Sequence, residues 1–235
     1  MHRRQFNSNA SAMLVLALAS VSDWAQAINL SGLSNADATA GLKATLEKGA
    51  SAAIGLLGQE DGFMNNPKVR IGLPKPLDEV AGMLRRFGQG RQLDELVVAM
   101  NRAAEQAIPL AKGMLHDTIE ALSIQDAKSI LSGGDNSVTQ FFEGKTREPL
   151  GQRFLPDVSK VTAKVGVAEK YKQVASKAAS VGLLRQEDAQ LDTYVTARAL
   201  DGLYLVIGEK EREFRSHPMA AGSALIEKAL GAIKP

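Results

Sequence analysis

QLDELVVAMNRAAEQAIPLAKGMLHDTIEAL, residues 92–122, establishes the fold class of this chain. Its apolar residues recur every three or four positions, and that spacing places side chains on one face of an α-helix. We expect a kink or a split at Pro109, because its ring removes a hydrogen bond and clashes with the carbonyl of Glu105. The predicted apolar face consists of Leu93, Leu96, Val97, Met100, Ala104, Ala107, Ala111, Leu115 and Ile119.

The same helical spacing continues on both sides, with start and stop residues between the periodic segments. Ser34 and Ser123 are each followed three residues later by an aspartate, which is the spacing of a capping box. Glycines such as Gly58 mark helix ends. We predict one all-α domain, residues 28–235, with about eight to nine helices. The predicted helices span residues 34–58, 77–87, 92–122, 123–133, 135–142, 146–165, 167–181, 192–213 and 218–233.

One segment breaks the helical pattern, namely DGFMNNPKVRIGLPKPL, residues 61–77, which is rich in Pro, Gly and Asn. Val69, Ile71 and Leu73 alternate with polar residues or glycine, so one side of the segment can lie on the helices while the other faces water. Phe63 adds a fourth apolar anchor. We predict an ordered, extended strap that is packed across the helices and forms the rim of a binding site.

The first 27 residues have the features of an export signal. A positive start, including Arg3 and Arg4, precedes the apolar run 12–21, and Ala25-Gln26-Ala27 has the small-x-small pattern of a cleavage site. The apolar run is shorter than the roughly 20 residues that span a bilayer, so we predict cleavage and a periplasmic chain without a transmembrane segment. A Sec-type signal is favoured, and residues 3–6, RRQF, leave the twin-arginine route open.

Composition excludes several classes of chemistry. The 235-residue chain has no Cys, which rules out disulfides, iron–sulfur clusters and a thiol nucleophile. Its formal net charge is +2, and this balance gives no argument for nucleic acid as a partner.

Five blocks, taken together, resemble the DUF4197 family of exported bacterial proteins of unknown function. They occur in order and cover nearly all of the chain after residue 27. The resemblance implies an all-helical periplasmic domain, and it carries over no catalytic residues. The blocks are DGFMNNPKVRIGLP, DELVVAMNRAAEQAIPLAK, IQDAKSILSGGDNSVTQFF, FLPDVSKVTAKVGVAEKY and LDTYVTARALDGLYLVIGEKE.

Motifs for catalysis, cofactors and metals give no positive signal. Residues 221–225, AGSAL, lack the second glycine of a nucleophile elbow, and no phosphate-binding or dinucleotide fingerprint is present. His116 and Glu120 have the i, i+4 spacing of two metal ligands, but a stable site needs a third. We therefore predict no catalytic residue, no cofactor and no metal site, and we interpret His116 and Glu120 as part of a solvated helix face.

Two polar clusters on the long helices are the candidate ligand site. Asn101 and Glu105 share a helix face, which predicts a hydrogen bond between them, and a buried Asp201 needs a partner such as Arg102 or Arg198. A polar pocket for an anionic or hydroxylated ligand is one interpretation, and an interhelical ion-pair network that fixes the helix register is the other. The candidate residues are Asn101, Arg102, Glu105, Asp192, Tyr194, Arg198 and Asp201.

The leading hypothesis for function is a non-enzymatic periplasmic protein that binds a small ligand or a protein partner. One alternative is a hydrolase-type enzyme that uses paired carboxylates such as Glu105 and Asp201 as general acid and base. A second alternative is an envelope-associated structural or interaction protein that docks through residues 209–215 and the last helix.

Overall fold

The computed structural model describes residues 35–74, 78, 81–82, 85–86, 88, 90–134, 136–164, 169, 171–172, 176 and 190–217. Over these residues the only regular secondary structure is helical, which confirms the all-α class. The elements are α1 (Asn35–Leu57), α2 (Gly90–Ala107), a 3-10 turn (Ile108–Leu110), α3 (Ala111–Glu120), α4 (Ile124–Ser132), α5 (Ser137–Ala163) and α6 (Leu191–Ser216).

Six α-helices have both ends within the described residues, against the eight to nine predicted for the chain, and the described residues within 77–87 and 167–181 are helical as well. Three predicted helices, 77–87, 167–181 and 218–233, lie wholly or largely outside the described residues, as do the signal segment 1–27 and the Ser34 cap. No helix within the described ranges has the length and apolarity to cross a membrane.

A further reason for the lower number is that α5 is one continuous helix. The helices predicted separately at 135–142 and 146–165 are joined, so the predicted break between residues 142 and 146 was wrong. Thr146, where the second of these helices was predicted to begin, is buried inside the helix, and its hydroxyl donates to the Phe142 carbonyl at 2.7 Å. Continuous burial at four-residue spacing keeps the helix intact across both prolines, since packing outweighs local propensity. The buried apolar stripe is Val138, Phe142, Leu150, Phe154 and Val158.

Pro109 acts as predicted. The 3-10 turn at Ile108–Leu110 separates α2 from α3, so the long predicted helix is split there. The Ser123 capping box is also confirmed, because the Ser123 hydroxyl accepts from the Asp126 amide at 3.1 Å and the Asp126 carboxylate accepts from the Ser123 amide at 3.1 Å.

The packing centres on α5 and α6, which pack extensively against each other. Helix α2 packs on both of them, while α1 packs on α6 and on α3. The buried side chains of these helices and of the strap join into one core, including Met100 from α2 and Leu203 from α6. The described helices therefore share a single hydrophobic core, as expected of one domain.

Glu211 in α6 joins the two central helices by capping α5. Its carboxylate, only 6% exposed, accepts hydrogen bonds from the amides of Val138 and Thr139 at 3.1 and 3.2 Å. A carboxylate at this position satisfies amides that lack partners in the first helical turn and complements the helix dipole. The start of α5 is thus defined by a residue more than 70 positions away.

The strap lies between α1 and α2 along the chain. It forms turns at residues 61–65 and 67–69, so it is not extended throughout as predicted, and it continues without regular secondary structure through residue 74, while residues 75–77 lie outside the described ranges. Phe63, Val69 and Ile71 are buried in the core, and Leu73 is partly buried against it. Lys68, Arg70 and Gly72 face water. The strap therefore contributes apolar side chains to the hydrophobic core.

Candidate functional site

Asn101 in α2 pairs with the backbone of the strap. Its Oδ1 accepts from the Ile71 amide and its Nδ2 donates to the Ile71 carbonyl, both at 2.9 Å. The Asn101 side chain is fully buried. It therefore serves Ile71 as an adjacent β-strand would, by satisfying a buried donor and a buried acceptor at once.

Glu105, one helical turn further along α2, holds the start of the strap. Its Oε1 accepts from the amides of Phe63 and Met64 at 3.1 and 3.3 Å, and its Oε2 accepts from Arg102 Nη1 at 2.7 Å. Both oxygens of this carboxylate, which is 3% exposed, are thus occupied. A buried charge with this set of partners is stabilised by hydrogen bonds as well as by its counter-ion.

Arg102 extends the network to Asp61, the first residue of the strap. Its Nη2 donates to Asp61 Oδ1 at 2.7 Å, and Glu105 and Asp61 together raise the pKa of Arg102 above its ordinary value. Asp61 has a backbone φ of 66°, the left-handed conformation that aspartate adopts more readily than most residues. We call Asn101, Arg102 and Glu105 the strap latch.

The positions of the strap-latch residues agree with one part of the sequence prediction and disagree with another. Asn101, Arg102 and Glu105 do lie together, but Asn101 and Glu105 bond to the strap rather than to each other. The predicted hydrogen bond between these two was wrong, because backbone groups of the strap occupy both side chains. This part of the candidate site is engaged in holding the fold.

Helix α6 supports the other side of the strap. The Tyr194 hydroxyl donates to the Gly72 carbonyl at 3.0 Å, and Lys68 pairs with Glu209 at 2.6 Å. A Cβ at Gly202 would lie 2.8 Å from the Phe63 ring, so glycine is required for this close approach of strap and helix.

Beside the strap, α6 presents a half-exposed row of side chains that we call the α6 ridge, formed by Tyr194, Arg198, Asp201 and Leu205. Asp201 accepts a hydrogen bond from Arg147 Nη2 of α5 at 2.5 Å and forms an ion pair with Arg198, whose Nη1 lies 3.0 Å from Asp201 Oδ2. The predicted pairing of Asp201 with Arg198 is thus present, and Arg147 is a partner that the sequence did not indicate.

Aromatic rings hold both guanidinium groups in place. The Arg198 guanidinium lies 5.6 Å from the centre of the Tyr194 ring, and that of Arg147 lies 5.9 Å from the centre of the Tyr204 ring. Burial raises the pKa of Tyr204 to about 12, against the opposing hydrogen bond with Thr146, so its hydroxyl stays protonated at neutral pH. The two arginines are therefore pre-oriented by cation–π contacts and by a shared carboxylate.

Arg198 also carries an unmet hydrogen-bonding capacity. Its Nε is one of two buried side-chain polar atoms without a hydrogen-bond partner among the described residues, the other being Thr196 Oγ1. Its side chain as a whole is 40% exposed. Because Nε itself is buried, the donors that a carboxylate or phosphate can reach are those on the exposed part of the guanidinium group.

Asp192 lies apart from both clusters. It accepts from the Ser159 hydroxyl of α5 at 2.6 Å and from the Thr193 amide at 2.9 Å, at the start of α6. The seven predicted residues therefore divide into the strap latch, the α6 ridge and an isolated helix-start contact.

Sequence reasoning missed one further cluster. Glu47 of α1 lies beside His116 and Glu120 of α3, with Glu47 Oε1 at 2.6 Å from His116 Nδ1. The hydrogen bond with Glu47 raises the pKa of His116 above its ordinary value. Glu47 and His116 are 69 positions apart, so the sequence carried no signal for this contact.

Comparison with known proteins supplies a family. The model of the family described as "Protein of unknown function (DUF4197)" matches residues 32–231, which include the strap, the latch and the ridge. The chain belongs to the DUF4197 family. Comparisons with curated proteins and with solved structures found no match. Family membership thus confirms the resemblance seen in the sequence and assigns no activity.

Proposed function

We propose that this DUF4197 protein is a non-enzymatic binding protein of the periplasm, and that its α6 ridge binds a carboxylate of a small ligand or of a protein partner. The observation that carries this proposal is the convergence of Arg147 and Arg198 on Asp201 at a half-exposed surface. Because Tyr194 and Tyr204 orient both arginines beforehand, little side-chain entropy is lost on binding. Asp201 already pairs with both arginines and Glu143 pairs with Arg147 at 2.9 Å, so a ligand carboxylate would bind through the guanidinium N–H groups that these two side chains leave open.

A hydrolase-type enzyme with Glu105 and Asp201 as an acid–base pair has less support. Glu105 accepts three hydrogen bonds and is 3% exposed, while Asp201 is held by two arginines. A general base needs an oxygen within hydrogen-bond reach of a substrate proton. The partners of Glu105 come from the strap and from α2, and those of Asp201 come from α5 and α6, so the two carboxylates belong to separate networks.

The envelope-docking alternative rests on residues 209–215 and on the last predicted helix, and residues 218–235 lie outside the described ranges. Within 209–215, Glu209, Lys210 and Glu211 are engaged inside the protein. These contacts already engage three of the charged side chains on which the docking alternative rests.

Photo-crosslinking in cells tests the binding surface. A photoreactive residue at Leu205, which is 40% exposed on the ridge, is expected to form an adduct that Arg198→Gln abolishes. The same probe at Ile124 of α4, which is 50% exposed, and the variant Arg91→Gln, at a 90% exposed arginine of α2, are the matched controls. Equal adducts at both positions, or persistence of the Leu205 adduct in Arg198→Gln, contradict the proposal.

Export is tested separately by cell fractionation of the full chain. We expect a shortened protein in the periplasm, as the features of residues 1–27 indicate. Export that survives Arg3→Lys with Arg4→Lys assigns the Sec route, and loss of export assigns the twin-arginine route. An uncleaved protein in the cytoplasm contradicts the proposed location.

A further inference from the structure

We propose that Glu47, His116 and Glu120 bind a divalent zinc-class cation between α1 and α3. The structure supplies the third ligand that the sequence pair His116 and Glu120 lacked. One ligand atom from each residue lies within 4.8 Å of the others, and the three side chains belong to two helices that pack together.

The ligand chemistry favours Zn²⁺ over Mg²⁺ or Ca²⁺. One imidazole nitrogen and two carboxylate oxygens form a mixed set that zinc accepts, with bond lengths of about 2.0–2.2 Å. Magnesium and calcium favour sets made of oxygen alone. Three protein ligands leave the fourth tetrahedral position to water, as expected for an open site.

The hydrogen bond between His116 and Glu47 shows how the cation enters. His116 Nδ1 and Glu47 Oε1 are joined by a hydrogen bond of 2.6 Å, and cation binding replaces the proton of that bond with the metal. Two ligands bonded to one tetrahedral cation at these lengths lie about 3.3 Å apart, so Nδ1 and Oε1, now 2.6 Å apart, must separate by about 0.7 Å. His116 and Glu120 side chains are 56% and 59% exposed and Glu47 is 35% exposed, so this adjustment meets little packing resistance and the site is open to solvent.

Lys43 of α1 already pairs with Glu120, so its ammonium group competes with a cation for this site. Its Nζ donates to the Glu120 carbonyl at 2.6 Å and lies 3.6 Å from Glu120 Oε2. The two carboxylates carry two negative charges, which one lysine balances only in part. Removing the charge of Lys43 must therefore strengthen cation binding, whereas a purely structural role for the cluster gives no such effect.

Isothermal titration of the tag-free, EDTA-treated protein with Zn²⁺ tests the proposal at near-neutral pH. We expect one Zn²⁺ per chain, with His116→Ala and Glu47→Gln weakening the affinity by roughly tenfold or more. Glu120→Gln is expected to weaken it as well. Lys43→Gln is expected to strengthen it, and an excess of Mg²⁺ should not displace the zinc.

The matched control is His217→Ala, at an exposed histidine where α6 ends. It should bind Zn²⁺ as the wild type does. All substituted ligand side chains are exposed or half-buried, and circular dichroism confirms that each variant keeps its helix content. No saturable Zn²⁺ binding, wild-type affinity in His116→Ala, or unchanged affinity in Lys43→Gln overturns the proposal.

Discussion

Replacing Asn101 with alanine should destabilise the protein, because it leaves the strap backbone without its partner. The variant removes the acceptor for the Ile71 amide and the donor for the Ile71 carbonyl, both buried. Each unsatisfied buried group costs about 1–3 kcal/mol. The third bond, to the Val97 carbonyl, adds little because that carbonyl also accepts within α2. Water that enters the vacated space recovers part of the loss, so we expect about 2–4 kcal/mol.

Urea unfolding followed by far-UV circular dichroism measures this loss. Domains of this kind have a free energy of unfolding of roughly 5–15 kcal/mol, so the expected shift in the midpoint is large. Gln106→Ala is the matched control, since it removes an exposed amide from the same helix and should change stability by no more than about 0.5 kcal/mol. If Asn101→Ala matches the Gln106→Ala control, the latch does not hold the strap and the reasoning fails.

Three further predictions use the same assay. Gly202→Ala should lose about 1–2 kcal/mol of stability, because a Cβ 2.8 Å from the Phe63 ring costs more in overpacking than alanine gains in helix propensity. Adding Phe63→Leu should restore part of the loss. A Gly202→Ala variant more stable than the wild type contradicts the close approach. Glu211→Ala should lose about 1–3 kcal/mol of stability, because α5 loses its cap. Glu213→Ala, which removes an exposed carboxylate of the same helix, should lose less than about 1 kcal/mol. Equal losses in the two variants argue against the cap. His116 faces Glu47 of α1 and Asp117 and Glu120 of its own helix, and Glu47 raises the pKa of His116 above the unfolded value of 6.5. In EDTA, the contribution of His116 to the free energy of unfolding is therefore complete below pH 6.5 and is lost as the pH rises through the folded pKa. If Glu47→Gln leaves the dependence of stability on pH unchanged, this linkage is excluded.

The sequence predicted most of the helical architecture because helix signals are local. Apolar spacing, the Ser123 capping box and Pro109 each act within a few residues, and each has the predicted effect in the structure. The break predicted inside α5 was the exception. Phe142 and Leu150 belong to a stripe that stays buried along the whole helix, so tertiary packing continues the helix between residues 142 and 146, where a break was predicted.

For the strap latch, the sequence predicted which side chains lie together but not which groups they contact. Asn101 and Glu105 occupy positions one and two turns after buried Val97, so their polarity within an apolar stripe signalled a need for partners. Those partners are backbone groups of the strap, 30 to 42 positions away, and a sequence does not show which backbone will meet a side chain. Glu47 and His116 are 69 positions apart, and for the same reason the sequence did not predict their contact.

Amide hydrogen exchange at Phe63 and Ile71 of the wild type tests the central claim most directly, namely that the strap is a fixed part of the core held by Asn101 and Glu105. Both amides donate to buried side-chain oxygens of α2, so opening them requires the strap to leave the helices. We predict protection comparable to that of core amides in α2, with Ile71 losing most of it in Asn101→Ala. Exchange at the rate of an unstructured peptide in the wild type would contradict the claim.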